Sequence, residues 1–192
     1  MKIVTSGDRT GRLMKYDPYT KKTTVLLRGL AFANGVALSS DGSFLLVAET
    51  TAQKIHKVWL RGPKAHTSEL LVVLERPPDN IKRTRGGAFW VALNSRRAIV
   101  KGFLPKNLRP TVVTPPWIAD PVAVKLDGEG NAIGAVDGHG ESTLESVSEV
   151  EERAGSLWFG SAVKDYVGVM IINDRNIDRN DDDIFAKLGA MK

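Results

Sequence analysis

The side chains most used for covalent and metal chemistry are sparse in this sequence. It has no cysteine, which excludes a disulfide framework, a thiolate nucleophile and a cysteine-ligated zinc. Its three histidines, His56, His66 and His139, stand far apart and show no metal-ligand spacing. Serines are plentiful, but none lies in a nucleophile-elbow pattern, so no Ser–His–Asp triad is read. Near the end, Asp174, Asn176 and Asp178 fall on positions 1, 3 and 5 of an EF-hand loop. That loop also needs glycine at its sixth position and glutamate at its twelfth. Arg179 and Phe185 stand there instead, so 173–192 is expected to be a polar, flexible tail.

The formal net charge is +5, a balance that can signal nucleic acid or an anionic surface. The basic residues, however, are scattered, with short clusters only at Lys21–Lys22, Lys82–Arg85 and Arg96–Arg97, and no aromatic residues interleave them. A solvated basic face is the simpler reading, so no nucleic-acid partner is expected. No apolar run is long enough for a membrane span or, at the start, for a signal peptide, so neither is expected.

The elements that must position any site are short strands. Runs rich in Val, Ile, Leu and aromatic residues alternate with Gly/Asp turns, and no long segment has the 3.6-residue period of a helix. Strands are expected at 12–16, 23–27, 35–38, 43–49, 54–59, 68–74, 88–93, 122–126, 132–135, 156–160 and 167–172. The fold class is therefore all-β: a sandwich, a barrel or a propeller. A weak repeat separates these. The segment from Asn34 to Ala48 recurs in outline from Asn80 to Ala92, with the asparagines 46 positions apart and the strand starts Ser43 and Ala88 45 apart. A four-stranded propeller blade takes about 40–50 residues. The alternative is a β-sandwich with accidental similarity between hairpins.

The spacing predicts that Ser43–Glu49 and Ala88–Leu93 are equivalent inner strands. Residues 120–137 would then be the outer strand pair of the preceding blade, with Ser156 opening the last one. At this period 192 residues make three to four blades, and a ring needs at least four. The expectation is an open arc, a piece of a larger ring, with uncovered ends that favour self-association.

Five segments carry a resemblance: Thr5–Leu27, Phe32–Ser39, Val58–Lys64, Pro78–Arg83 and Phe89–Leu93. In this order they resemble the plant strictosidine-synthase-like family from about residue 5 to about residue 170. The resemblance implies the C-terminal half of a six-bladed β-propeller related to paraoxonase and gluconolactonase-like proteins. The family's founding activity is the condensation of tryptamine with secologanin, in which one glutamate moves the protons. Aligned through Gly155–Gly160, that position is Ser148, which does not titrate usefully near neutral pH. Glu145 and Glu149 are the nearest acids. A one-residue slip along a strand reverses the side chain, so Glu149 is expected to face away. Glu149, Glu151 and Glu152 then read as a solvated acidic stretch.

The paraoxonase-like relatives also hold a divalent cation at one end of the channel. The matching residues are Asn34, Asp79 and Asn80, hard oxygen donors that suit Ca²⁺. They form an incomplete set, and Asn34 and Asn80 also suit turn caps. The resemblance leaves two function classes. One is an enzyme acting on small organic molecules, synthase-like or a metal-dependent lactonase or esterase in the intact parent. The other is a non-catalytic module that binds a ligand or partner. It would place the parent in the vacuole, in the endoplasmic reticulum or outside the cell.

Overall fold

The computed structural model describes residues 7–94, 118–139 and 144–172. The proposed tail at 173–192, with Asp174, Asn176 and Asp178, lies outside the described residues. Thirteen strands are seen among those described: β1 (Gly11–Asp17), β2 (Lys22–Leu30), β3 (Ala33–Leu38), β4 (Phe44–Glu49), β5 (Lys54–Trp59), β6 (Ser68–Val73), β7 (Pro78–Arg83), β8 (Phe89–Leu93), β9 (Pro121–Leu126), β10 (Ala132–Asp137), β11 (Glu149–Arg153), β12 (Ser156–Gly160) and β13 (Gly168–Ile171). Among these residues no helix is long and apolar enough to cross a membrane.

Neighbouring strands are antiparallel, and aspartate sets several of the turns between them. Asp17 accepts the backbone N–H of Tyr19 at 2.9 Å. Asp127 accepts those of Glu129 and Asn131 at 2.9 and 2.8 Å. Asp41 accepts Ser43 N–H at 3.0 Å and two serine hydroxyls, which hold its carboxyl down to about 2. Such side-chain bonds stand in for the missing turn partners, and Gly42 (φ +69°) supplies the left-handed residue.

The strands form two complete blades, β3-β4-β5-β6 and β7-β8-β9-β10, flanked by the hairpin β1-β2 and a three-stranded sheet β11-β12-β13. The first strands of successive blades lie side by side, β3 against β7 and β7 against β11, which makes them the inner edge of an open propeller arc. The expected inner strands are therefore second strands: β4 and β8 occupy like places, one step out from the axis. Residues 120–137 do form the outer pair of their blade, as β9 and β10. The last blade opens with β11, not with Ser156, which begins its second strand.

Alternation divides each blade between two seams. Leu46 and Ala48 of β4 meet Phe89, Val91 and Leu93 of β8. Trp90 and Ala92 of β8 meet Leu157 and Phe159 of β12. Leu45, Val47 and Val58 turn back onto Leu13 and Leu30 of the hairpin. Cations cross the seams as well. Lys57 of β5, nearly fully buried, donates to the Gly128 carbonyl at 2.8 Å with its Nζ 4.1 Å from the Phe44 ring centroid and 4.4 Å from that of Trp59. Glu152 accepts Trp90 Nε1–H and Lys125 Nζ, both at 2.8 Å. Glu152 is thus part of a seam, which corrects its reading as a solvated acid.

Cross-strand register fixes the equivalences. Val36 pairs with Val47, Ile81 with Val91 and Val150 with Phe159, and all three second-strand partners face the preceding blade. Ser39 N–H closes on Phe44 and Thr84 N–H on Ala88, so the second turn is one residue shorter. Asn34 therefore corresponds to Asp79, not to Asn80, and Phe44 to Ala88. Phe44 and Phe89, which the repeat aligned, instead meet across the seam with ring centroids 6.0 Å apart.

Candidate functional site at the axial mouth

Counting back two residues from Val36, Ile81 and Val150 gives Asn34, Asp79 and Ser148, one position on the inner edge of each successive blade. In the first two blades this position lies in a bulge: register shifts between Ala33 and Val36 and between Pro78 and Ile81. A bulge leaves a residue outside the ladder and turns its side chain off the blade face. Asn34 and Asn80 thus sit inside strands β3 and β7 rather than capping the turns before them, which corrects that expectation.

The three blades approach closely here. A Cβ built on Gly35 would come within 2.5 Å of Ile81 N and 2.6 Å of Asn80 Cα and Asp79 O, all backbone atoms. Only glycine lets β3 and β7 meet this closely. Asn80 N–H donates to the Ser148 carbonyl at 3.1 Å, which carries the inner edge on to the third blade.

A chain of polar side chains follows that edge. Thr50 Oγ1 donates to the Pro78 carbonyl at 2.7 Å and accepts Asn34 Nδ2 at 3.2 Å. Asn34 Nδ2 also donates to Asp79 Oδ1 at 2.8 Å. Asp79 receives further side-chain hydrogen bonds from Ser148 and Asn94. Ser148 Oγ in turn accepts Ala162 N–H at 3.1 Å. Burial pushes the Asp79 carboxyl above its ordinary value and the nearby Glu149 charge adds to this, against the three hydrogen bonds, which favour the carboxylate.

The structure thus joins Asn34, Asp79 and Ser148 directly, and Asn80 through its backbone. Glu149 is half-buried and pairs with Lys82, Nζ to Oε1 3.2 Å. Glu145 pairs with Lys164 at 3.5 Å. Two members of the network, Thr50 and Asn94, carried no motif that would have marked them. A second buried polar cluster also escaped the sequence reading. The fully buried Glu49 accepts Ala31 N–H and Arg9 Nη2 on Oε1, each at 2.8 Å, and His56 Nε2 lies 2.7 Å from Oε2. Burial works to raise the Glu49 carboxyl, but these partners leave it lowered. The clue was a Glu and a His seven positions apart across a tight hairpin.

For a cation, the donors on hand are the amides of Asn34, Asn80 and Asn94, the hydroxyls of Thr50 and Ser148, and the Asp79 carboxylate. Calcium needs about six to eight oxygens. The Asp79 carboxyl is already engaged by three side-chain donors. Among the described residues no group of three or more His, Cys, Asp or Glu could hold a metal ion. These residues make at most part of a coordination shell.

The family model described as strictosidine synthase matches residues 1–63. Protein STRICTOSIDINE SYNTHASE-LIKE 10 of Arabidopsis thaliana is 42% identical over 188 residues, which cover 86% of this chain and 48% of that protein. Strictosidine synthase of Catharanthus roseus is 37% identical over 174 residues, covering 91% and 45%. The chain spans about half the length of the curated relatives it matches. Among solved structures, a luciferin-regenerating enzyme superposes with a TM-score of 0.52 at 14% identity, covering 91% of this chain and 47% of that one. A calcium-binding protein, regucalcin, from Agrobacterium tumefaciens gives 0.50 at 12%, covering 83% and 48%. At these identities the likeness concerns the fold alone.

Proposed function

Because the chain belongs to the strictosidine-synthase-like family, we propose that its axial mouth serves to bind a small organic molecule and that it does not catalyse the condensation for which the family is named. The observation that carries this reading is Ser148. It stands where the family resemblance calls for the proton-transferring glutamate, and its hydroxyl is held between Asp79 and Ala162 N–H. Condensation of an amine with an aldehyde needs a group that gives and takes a proton at the substrate, and such a group contributes roughly 10²–10⁴-fold in rate. A serine hydroxyl does not titrate in the working range. What the mouth offers instead is amide donors, a hydroxyl and a half-buried carboxyl, a set suited to orienting a polar substituent of a ligand.

The test is an assay with tryptamine and secologanin on the unmutated protein, Ser148→Glu and Glu149→Ala. The expected result is no turnover by the unmutated protein. Turnover that disappears in Glu149→Ala would place the catalytic acid one residue along and overturn the reading. A metal-dependent hydrolase is the second reading, and it rests on the Asn34 amide and the Asp79 carboxyl lying side by side at the mouth, where a cation would have to displace the hydrogen bond between them. Calorimetry with Ca²⁺ decides it: micromolar binding lost in Asp79→Ala supports the hydrolase, and weak or absent binding leaves the ligand-binding reading.

A further inference from the structure

Two successive blades fill one place in the fold differently. Cross-strand register sets Glu49 and His56 of the first complete blade where the next has Leu93 and Val124, both buried. An apolar pair is therefore enough to build a blade, and a buried carboxylate is costly there unless it is paired. Glu49 is paired on both oxygens. Oε1 accepts Ala31 N–H and Arg9 Nη2, each at 2.8 Å, and His56 Nε2 lies 2.7 Å from Oε2. Ala31 belongs to the link Ala31-Phe32-Ala33 that leads into Asn34, and Phe32 has φ +60°. A bulky side chain in that left-handed region is strained, and such strain persists only where the surroundings over-determine it. Three contacts do so here: Ala31 N–H on Glu49, Thr50 N–H on the Phe32 carbonyl at 3.0 Å and Thr51 N–H on the Ala31 carbonyl at 3.2 Å. In the next blade the link is Arg76-Pro77-Pro78, and Asn94 N–H meets the Pro77 carbonyl at 2.9 Å, as Thr50 meets Phe32. Proline fixes φ near about −65°, so that link holds no left-handed residue at Pro77 and Leu93 has no strain to restrain.

On the reading that the axial mouth is the binding site, we propose that Glu49 is a positioning residue for it: Glu49 holds the strained Phe32 link and thereby sets Asn34 against Thr50 and Asp79. Asn34 stands two residues after Phe32, and Thr50 follows Glu49 directly. Both partners of the 3.2 Å bond from Asn34 Nδ2 to Thr50 Oγ1 are thus placed from the same clasp. His56 and Arg9 fix the carboxylate so that its oxygen stays on Ala31 N–H. With the clasp gone, Phe32 relaxes to negative φ, and the reach of Asn34 Nδ2 to Asp79 Oδ1, 2.8 Å, is lost. Docking of the hairpin has its own apolar contact in Leu13, Leu30, Leu45, Val47 and Val58, so the clasp is not what holds the sheets together.

The test is amide hydrogen exchange with side-chain amide NMR on the full chain, without ligand. Its outcome is therefore separate from whether the mouth binds anything. Glu49→Leu copies the residue of the next blade. It should speed exchange at Thr50 and Thr51 N–H roughly 10-fold or more, as release of such a strained link does, and move the Asn34 side-chain resonances toward those of a solvated asparagine. Asn94 N–H, in the matching bond of the next blade, should keep its rate. Glu49→Gln, which retains an oxygen for Ala31 N–H, is the milder variant should Glu49→Leu fold poorly, and it should change the same signals by less. The decisive measurement adds Phe32→Gly to either variant. Glycine takes positive φ without strain, so exchange at Thr50 and Thr51 and the Asn34 signals should return toward the parent's. Phe32→Ala removes the ring but keeps the strain, and should restore neither. Unchanged Thr50, Thr51 and Asn34 signals in the Glu49 variants would overturn the proposal. So would an equal rise at Asn94, which marks general loosening, and so would a rescue that fails with glycine or succeeds equally with alanine.

Discussion

Trp90 and Trp158 occupy the same place in successive blades, three residues after a left-handed glycine, Gly87 or Gly155. Yet Trp90 is 6% exposed and Trp158 is 45% exposed. The difference lies entirely in the neighbour on the forward side of each blade. Trp90 has the next sheet over it, with Glu152 accepting its indole N–H and Lys125 pairing with that carboxylate. Trp158 faces forward with no described sheet beyond it. The same local pattern thus yields a seam residue in one blade and a surface residue in the next. In a repeat fold the stability of a residue belongs to the interface, not to the residue's own sheet.

The largest test of this contrast is truncation. Trp90→Ala should lower stability by about 3–5 kcal/mol through lost transfer energy and a cavity. Trp158→Ala should cost under about 1 kcal/mol when measured where the chain is monomeric. Urea unfolding midpoints give both numbers, and equal losses would break the comparison. Next comes backbone approach. Gly35→Ala puts a methyl against backbone atoms of β7 and should cost about 1–3 kcal/mol. Gly160→Ala, in the last sheet, meets Glu149 Cβ only at 3.7 Å and should be near neutral. A costly Gly160→Ala would mean that β11 and β12 pack as closely within the last sheet as β3 and β7 do between blades.

The smallest effect is the seam ion pair. Burial tends to raise the Glu152 carboxyl, but Lys125 and the Trp90 indole leave it lowered overall. A lowered carboxyl stabilises the fold above the unfolded-state value, about 4.3, and loses that contribution as the pH falls through its folded value. Glu152→Gln should therefore cost about 1–2 kcal/mol at pH 7, with the gap to the parent shrinking below about pH 4.3. A gap independent of pH would assign the effect to packing rather than charge.

The outer and middle strands were legible because both of their faces are apolar or alternate cleanly, as in Phe44–Glu49 and Pro121–Leu126. The inner strands β7 and β11 were not. Pro78-Asp-Asn-Ile-Lys-Arg buries only Pro78 and Ile81, and Glu149-Val-Glu-Glu-Arg only Val150, because their surroundings are a polar axis and charged seam partners. Hydrophobic periodicity has nothing to register there. The repeat gave the right period but the wrong register: a turn shorter by one residue brings Phe44 and Phe89 into false alignment. That shift also concealed that Asn34, Asp79 and Ser148 form one row, since bulges inside strands leave no trace in residue types.

Lys57 gives the first internal seam a chemical clock. Its ammonium, enclosed by two aromatic rings and the Gly128 carbonyl, is out of reach of an amine-reactive reagent while the two blades stay together. Lys54 on the same strand is partly exposed and reacts from the start. Acylation at Lys57 can proceed only through openings of that seam, so its rate relative to Lys54 reports how often the arc breathes between those two blades, one lysine timing a motion that leaves the other untouched.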